Sequence, residues 1–465
     1  MCSLCTPVAV CNVTAMQTHR FAGFALVVLL SGCGDDDGAV GTDAGGRDAG
    51  VAADAGVPAD GAAVRDGGGG TDDGGSGSDA GGAPPGDIGE WTDAPGECPA
   101  GATRVDIRTS TELEAATRGE GAYASDAPST CYFVHDGTYT SSSNVMFWVR
   151  AGGAAGAPRR FVGESRTGVH ITQRATIEVA HVAIENMTFD LTGYAHSGSF
   201  NTMTVLGASD LLVSHVTFTG DCATGSTGGH VEIEGSDGVT VEACVIERFG
   251  ACTGSGHLDH GVYLASGTGI VIRNNVIRQN ASRGIQLNTE GGSFGTLDGV
   301  TIERNRIYGN GHRDYEDGIV LNGSGSGTIQ NVAVTRNLVY GNWYSGIRFV
   351  GSAQSSIVIE KNTFFDNGLA ASGGSPSEVN LDDVGSGAGT TIRGNIFSVG
   401  IALVNDCYDA APRGFSVADN VVHPTASFPA CVTGAVAVDP AFVDSAGADF
   451  HPTAAGAMAY GAYAP

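Results

Sequence analysis

The chain is almost without lysine: of its 23 basic residues only Lys361 is one, and they face 50 acidic residues, for a formal net charge of -27. That balance leaves no basic stripe for phosphate, so nucleic acid is excluded as a partner. The acidic excess favours solubility and repels anionic surfaces, and it says little about fold. Charged residues of either sign are few, at 16%. No apolar run is long enough to cross a bilayer; the strongest, FAGFALVVLL at 21–30, has ten residues. Leucine recurs at no fixed interval and no helical half-turn accompanies the repeats described below, which excludes a leucine-rich repeat. What the chain has in quantity is glycine, 73 residues of 465.

The run at 21–30 follows His19 and Arg20 and has the length of a signal-peptide core. It ends in Leu30-Ser31-Gly32-Cys33, which resembles the lipobox of bacterial lipoproteins. The resemblance implies that Cys33 is acylated and becomes the mature N-terminus, with two or more acyl chains giving stable attachment. Met16 fits the start of such a signal better than Met1. Residues 1–33 are therefore expected to be a signal peptide, and the protein to be exported and anchored to the outer membrane or cell surface. Residues 34–97 are built almost wholly of Gly, Ala, Asp, Ser, Thr and Pro. Such a segment buries too little apolar surface to offset its ordering entropy, and its Asp residues repel one another. It is expected to be a disordered linker carrying a folded body at 98–465.

That body repeats. An in-out block followed by Asn reads VTVEACVI at 239–246, IVIRNNVI at 270–277, VTIERNRI at 300–307, VAVTRNLV at 332–339, IVIEKNTF at 357–364, TTIRGNIF at 390–397 and FSVADNVV at 415–422. Earlier copies, VAIENMTF at 182–189 and LLVSHVTF at 211–218, lack the Asn. The corresponding position is Met187, Val216, Cys244, Asn275, Asn305, Asn337, Asn362, Asn395 and Asn420, at spacings of 25 to 33 residues. A shorter block (HVEI, GVYL, GIQL, GIVL, GIRF, EVNL) precedes most copies. Each period makes one coil of two or three short strands, with Gly, Asn and Ser in the turns. Stacked at ~4.8 Å, nine or more coils form a rod with Val, Ile and Leu inside and a ladder of amides. The pattern resembles the parallel β-helix repeats of the pectate-lyase-like superfamily over about 160–425, with CYFVHDGTY at 131–139 like their opening and VDPAFVDSAGADFHP at 438–452 like their close. The expected fold is all-β, a single-stranded right-handed parallel β-helix acting as a monomer.

Seven cysteines follow Cys33, none in C-x-x-C spacing, which argues for disulfides over a metal site in an exported chain. Cys244 falls on the inward ladder and reads as a buried thiol. The expected disulfides are Cys222–Cys252, which end equivalent strands of adjacent coils, and by proximity Cys98–Cys131 and Cys407–Cys431.

Outward residues of the short block stack as Glu232, Tyr263, Gln286, Val320, Arg348 and Asn380, with Asp259, His260, Arg283, Glu316, Asp317 and Tyr344 just before it. The resemblance implies a polysaccharide partner, and two chemistries compete. A lyase acting on a uronic-acid polymer needs a base for the proton beside the carboxylate and a cation to neutralise that carboxylate. His260 suits the first role, and Arg283 and Arg348 the second. Asp314, Glu316 and Asp317 are the candidate ligands for a Ca²⁺ ion bridging acid to acid. A glycoside hydrolase needs two carboxyls, for which Asp259 and Asp317 are expected at matching places two coils apart, roughly 10 Å. The combination of N-x-D, G-D-D, G-H-G and R-I-K found in polygalacturonases does not occur, nor does the D-P-H-E of mannuronan epimerases. His257, Tyr263, Gln286, Glu316, Trp343 and Tyr344 complete the expected sugar-binding set. A non-catalytic surface rod that binds or supports is the third reading.

Overall fold

The computed structural model describes residues 88–465 apart from 90, 92–93, 95, 195–200, 223–230, 251–258, 290–294, 313–315, 325, 369–376, 385, 399–402, 405–413 and 424–432. The lipidation residue Cys33, the site residues His257 and Asp314, and Cys252, Cys407 and Cys431 lie outside them.

The expected right-handed parallel β-helix is present. Each coil contributes in turn to three parallel sheets of fifteen, eleven and ten strands. One coil runs Ser236–Glu242 in the first sheet, Val245–Glu247 in the second and Val262–Leu264 in the third. The alternation read from sequence is what fills the core: Val239, Val241, Ile246, Val262 and Leu264 all point inward with no exposure, and the coils above and below repeat them. Parallel pairing holds the strands of successive coils in register, as in Val241↔Ile272↔Ile302↔Val334↔Ile359↔Ile392↔Val417.

The corner between the first and second sheets carries the ladder. The side-chain amide of Asn275 donates to Asn305 Oδ1 at 2.9 Å, and the series continues through Asn337, Asn362, Asn395 and Asn420 at 2.9–3.0 Å. Each amide also donates to a carbonyl of the preceding coil, as Asn305 does to Ile272 at 2.8 Å. The residue before each Asn is left-handed: Asn274, Arg304, Arg336 and Lys361 have φ of 52–56°. That conformation costs about 1–2 kcal/mol per residue, and the buried amide bonds offset it. Cys244 stands at the head of the ladder as a buried free thiol, its N–H donating to Asn275 Oδ1 at 2.9 Å.

A second ladder runs inside the next corner. Asn280, Asn310, Asn342 and Asn367 are joined amide to carbonyl at 2.8–3.0 Å, and Asn367 Nδ2 donates to the carboxyl of Glu378 at 2.5 Å. Beside it, Gly261, Gly284, Gly318 and Gly346 stack so closely that a Cβ on each would lie 2.6–2.7 Å from the next carbonyl oxygen and 2.9–3.0 Å from a ladder amide. Any larger residue there would push the coils apart.

Three features adjust the sequence reading. A nine-residue helix, Ser110–Arg118, caps the first coil with Leu113 and Ala116 buried on the core. Its N-terminus is closed by a Thr109–Glu112 capping box. Packing also begins before Cys98, inside the span expected to be linker. Ile88 is buried against Leu338, Phe450 and Ala462, and Arg166 lies over the Trp91 ring. A Cβ on Gly89 would meet Arg306, and one on Gly96 would lie 2.0 Å from the Glu164 carbonyl. Ile88, Gly89, Trp91 and Gly96 thus lie on the outside of the body as a strap, upstream of the expected Cys98–Cys131 disulfide, which is present. The C-terminal hairpin, Phe442–Asp444 with Asp449–Pro452, covers the second sheet through Phe442 and Phe450. Cys222 is also disulfide-bonded.

Candidate functional site

The third sheet presents the outward row in the expected order. Strand pairing aligns Thr204↔Glu232↔Tyr263↔Gln286↔Val320↔Arg348↔Asn380. The alternation that buries Val262, Ile285, Ile319 and Ile347 turns these residues to the other face.

Three contacts organise the row with the turn before it. His260 stacks on Tyr263 with ring centroids 5.6 Å apart, and Asn288 Nδ2 donates to the Tyr263 hydroxyl at 2.6 Å. One coil on, Arg283 Nη1 donates to Gln286 Oε1 at 2.7 Å. Two coils further, Arg348 Nε donates to Asp317 Oδ2 at 2.9 Å, and its guanidinium lies 5.9 Å from the Tyr344 ring centre. The site is thus a run of polar pairs linking turn to strand, on adjacent coils of one face.

Burial sorts the expected residues. Asp259, His260, Glu316, Asp317 and Tyr344 have at most 1% exposure and Arg348 has 6%, whereas Tyr263, Arg283 and Trp343 are half-buried. Burial pushes the Asp317 carboxyl upward, opposed by the charges of Arg348 and Arg283 and by the Ser345 hydroxyl. For Arg283, burial lowers the guanidinium and the like charge of Arg348 adds to this, while Asp317, Glu316 and Tyr263 oppose it. These groups therefore act on one another as a single electrostatic unit. Glu232, at the other end of the row, is raised to about 7 by burial and then by Glu234, against Arg174 and Thr204.

Two expectations change. Counting back from the paired Val262, Ile285 and Ile319, His260 corresponds to Arg283 and Asp317, and Asp259 to Ser282 and Glu316. Asp259 and Asp317 are therefore one position out of register, and neither reaches solvent, so they do not form an acid–base pair across a sugar. Tyr344 is no stacking platform: it is buried, with Arg348 beside its ring. The described part of the acidic triad is committed elsewhere, Asp317 to Arg348 and Glu316 to the His312 backbone N–H at 2.7 Å. Asp314, the third member of that set, lies outside the described residues, and no cluster of three His, Cys, Asp or Glu suited to a metal occurs among the described residues.

Asn288 and Ser345 belong to the site and were not singled out from sequence. Asn288 closes the third-sheet block two positions after Gln286, and that outward spacing was the available signal.

Residues 159–329 and 251–421 match the family described as right handed beta helix region. Solved structures similar to this chain include an alginate lyase of family PL6, AlyGC, at 12% identity and a TM-score of 0.40, covering 77% of this chain and 56% of that one. A rhamnogalacturonan lyase is 14% identical with a TM-score of 0.45 over 69% of this chain and 84% of that one. PfbA, a surface adhesin of Streptococcus pneumoniae, is 13% identical with a TM-score of 0.40 over 67% and 82%. This chain thus spans little more than half the length of the alginate lyase, and the likeness to all three is one of fold. No curated protein matches the sequence.

Proposed function

The chain belongs to the right-handed β-helix family, and on that footing we propose that its third sheet binds a carboxylate-bearing polysaccharide along the rod axis and cleaves it by β-elimination. The observation that carries this reading is the pair of oriented guanidiniums on one face, Arg283 held by Gln286 and Arg348 by Asp317, beside the stacked His260 and Tyr263. Elimination next to a uronate carboxylate develops charge on that carboxylate, and a fixed cation stabilises it most where water is scarce. Arg283, half-buried and bonded to a neutral amide, is placed to meet it. Arg348 is already matched by Asp317, so its role is to set the field around Arg283.

The proton beside the carboxylate passes to the hydroxyl oxygen of Tyr263, the half-buried member of the His260–Tyr263 stack. The electrons of the broken carbon–hydrogen bond form the carbon–carbon double bond, the bond to the glycosidic oxygen breaks, and that oxygen takes up a proton from water. We further propose that the body is carried on the exported, lipid-anchored linker inferred from residues 1–97.

The test is the whole chain incubated with a panel of uronic-acid and neutral polysaccharides, with and without Ca²⁺. Ultraviolet absorbance reports unsaturated ends, and a reducing-sugar assay reports every cleavage. Absorbance rising with a polyuronate, and lost in Arg283→Ala, supports the reading. Reducing ends without absorbance would mean hydrolysis, and silence in both assays a binding or structural rod.

A further inference from the structure

Glu232 is the one carboxyl in the outward row itself, and its surroundings differ from those of the buried acids. It lies on Val231–Glu234, where Val231 and Ile233 face the core and Glu232 and Glu234 share the outer face. Two carboxyls two residues apart on one strand face are held side by side with no cation between them in sequence. Strand pairing sets Glu232 against Thr204 on one side and Tyr263 on the other. Asn201 Nδ2 donates to Glu232 Oε2, and Arg174, from the coil beyond, donates to the Asn201 carbonyl at 3.0 Å. Glu234 on its own strand raises it and Arg174 lowers it, while Tyr263 is its strand partner on the next coil and Tyr194 acts on Arg174. Arg174 is shared between Glu232 and Tyr194 and is itself lowered by burial, so it neutralises Glu232 only in part.

We propose that Glu232 sets the charge of the sugar-binding row: bearing a proton, it admits a carboxylated sugar unit beside Tyr263, and ionised, it excludes one. The inference rests on the polyuronate reading above and names the residue that regulates it. Its physical basis is proximity. Glu232 is two strand spacings, roughly 10 Å, from the Gln286–Arg283 pair, so a polymer lying along the row and meeting Arg283 must pass Glu232. A carboxyl in this half-buried, like-charged setting changes protonation near neutral pH, at about 7. A unit charge about 10 Å from a sugar carboxylate at the surface of a protein changes binding roughly tenfold.

The experiment is calorimetric titration of the full chain with oligogalacturonate and oligomannuronate between about pH 5.5 and 8.5, for the wild type and Glu232→Gln. The wild type is expected to lose about tenfold in affinity as pH rises through Glu232's titration, and the Gln variant to hold the low-pH affinity throughout. Carbon NMR of labelled glutamate reads the Glu232 titration directly, independently of any ligand. Parallel loss of affinity in both proteins would assign the dependence to another group and overturn the inference while leaving polyuronate binding intact. A Glu232 titration at the ordinary glutamate value would also overturn it. Binding by neither protein at any pH would overturn the polyuronate reading and this inference together.

Discussion

Arg348 and Asp317 join two neighbouring coils through a single 2.9 Å bond between buried side chains, on the face that carries the outward row. Removing one partner leaves the other charged and out of water, which typically costs 3–5 kcal/mol, whereas replacing both with apolar groups of similar size costs little. Asp317→Leu is therefore expected to destabilise by about 3 kcal/mol, and Asp317→Leu with Arg348→Met by much less. Urea unfolding of the three proteins checks this; equal losses in the single and double variants would show that the pair is not coupled.

The first amide ladder predicts a graded series. Asn337 sits in the middle, giving to Asn362 and taking from Asn305 at 2.9 and 3.0 Å, whereas Asn420 takes from Asn395 and has no later Asn below it. Asn337→Ala strands an amide and a carbonyl on its neighbours and is expected to cost about 3 kcal/mol, with Asn420→Ala costing about half. Chemical denaturation midpoints give the comparison, and equal midpoints would refute it.

Glu378 ends the second ladder as a fully buried carboxyl, and burial raises it well above the ordinary 4.5. Below about pH 4.5 both folded and unfolded chains hold this proton. Above it the unfolded chain releases the proton while the folded chain keeps it, so stability falls with rising pH up to the folded value, by at most about 1.4 kcal/mol per unit. Glu378→Gln keeps an acceptor for Asn367 and is expected to remove that slope and raise stability at neutral pH. Thermal unfolding across pH 4 to 8, roughly the window the linkage covers, reads it; a slope unchanged in the variant would place the titration elsewhere.

The strap predicts a packing loss far from its own position in sequence. Ile88 fills a site lined by Leu338, Phe450 and Ala462. Ile88→Ala is expected to cost about 2–4 kcal/mol, and proteolysis should then cut the exposed segment before Cys98. A protease pattern identical to the wild type would show that the strap stays down without Ile88.

The outward row and the first ladder were legible because side-chain period and coil period act together. One aligned block fixes both which residues face out and which stack, down to Cys244 as the ladder's thiol head. The second ladder was equally written, as Asn recurring five residues after Asn275, Asn305, Asn337 and Asn362, but it falls in a turn where alternation carries no information. The Asp259–Asp317 pairing failed by one residue because it matched acid to acid. Matching Gly261 to Gly318, whose close stacking sets the corner, puts His260 opposite Asp317 instead. The strap was illegible for a different reason. Ile88 and Trp91 are isolated apolar residues in a Gly- and Asp-rich stretch, and only the surface they lie on shows that they are bound.

That strap has a mechanical consequence. Ile88 lies on the strand at Leu338–Tyr340, whereas Gly96 lies against Glu164, before Val169–Ile171. A pull on the chain upstream of Ile88 is therefore delivered to the middle of the rod and not to its first coil. The load meets the Ile88 contact first and then the Trp91–Arg166 contact, before it reaches the covalent stop at Cys98–Cys131.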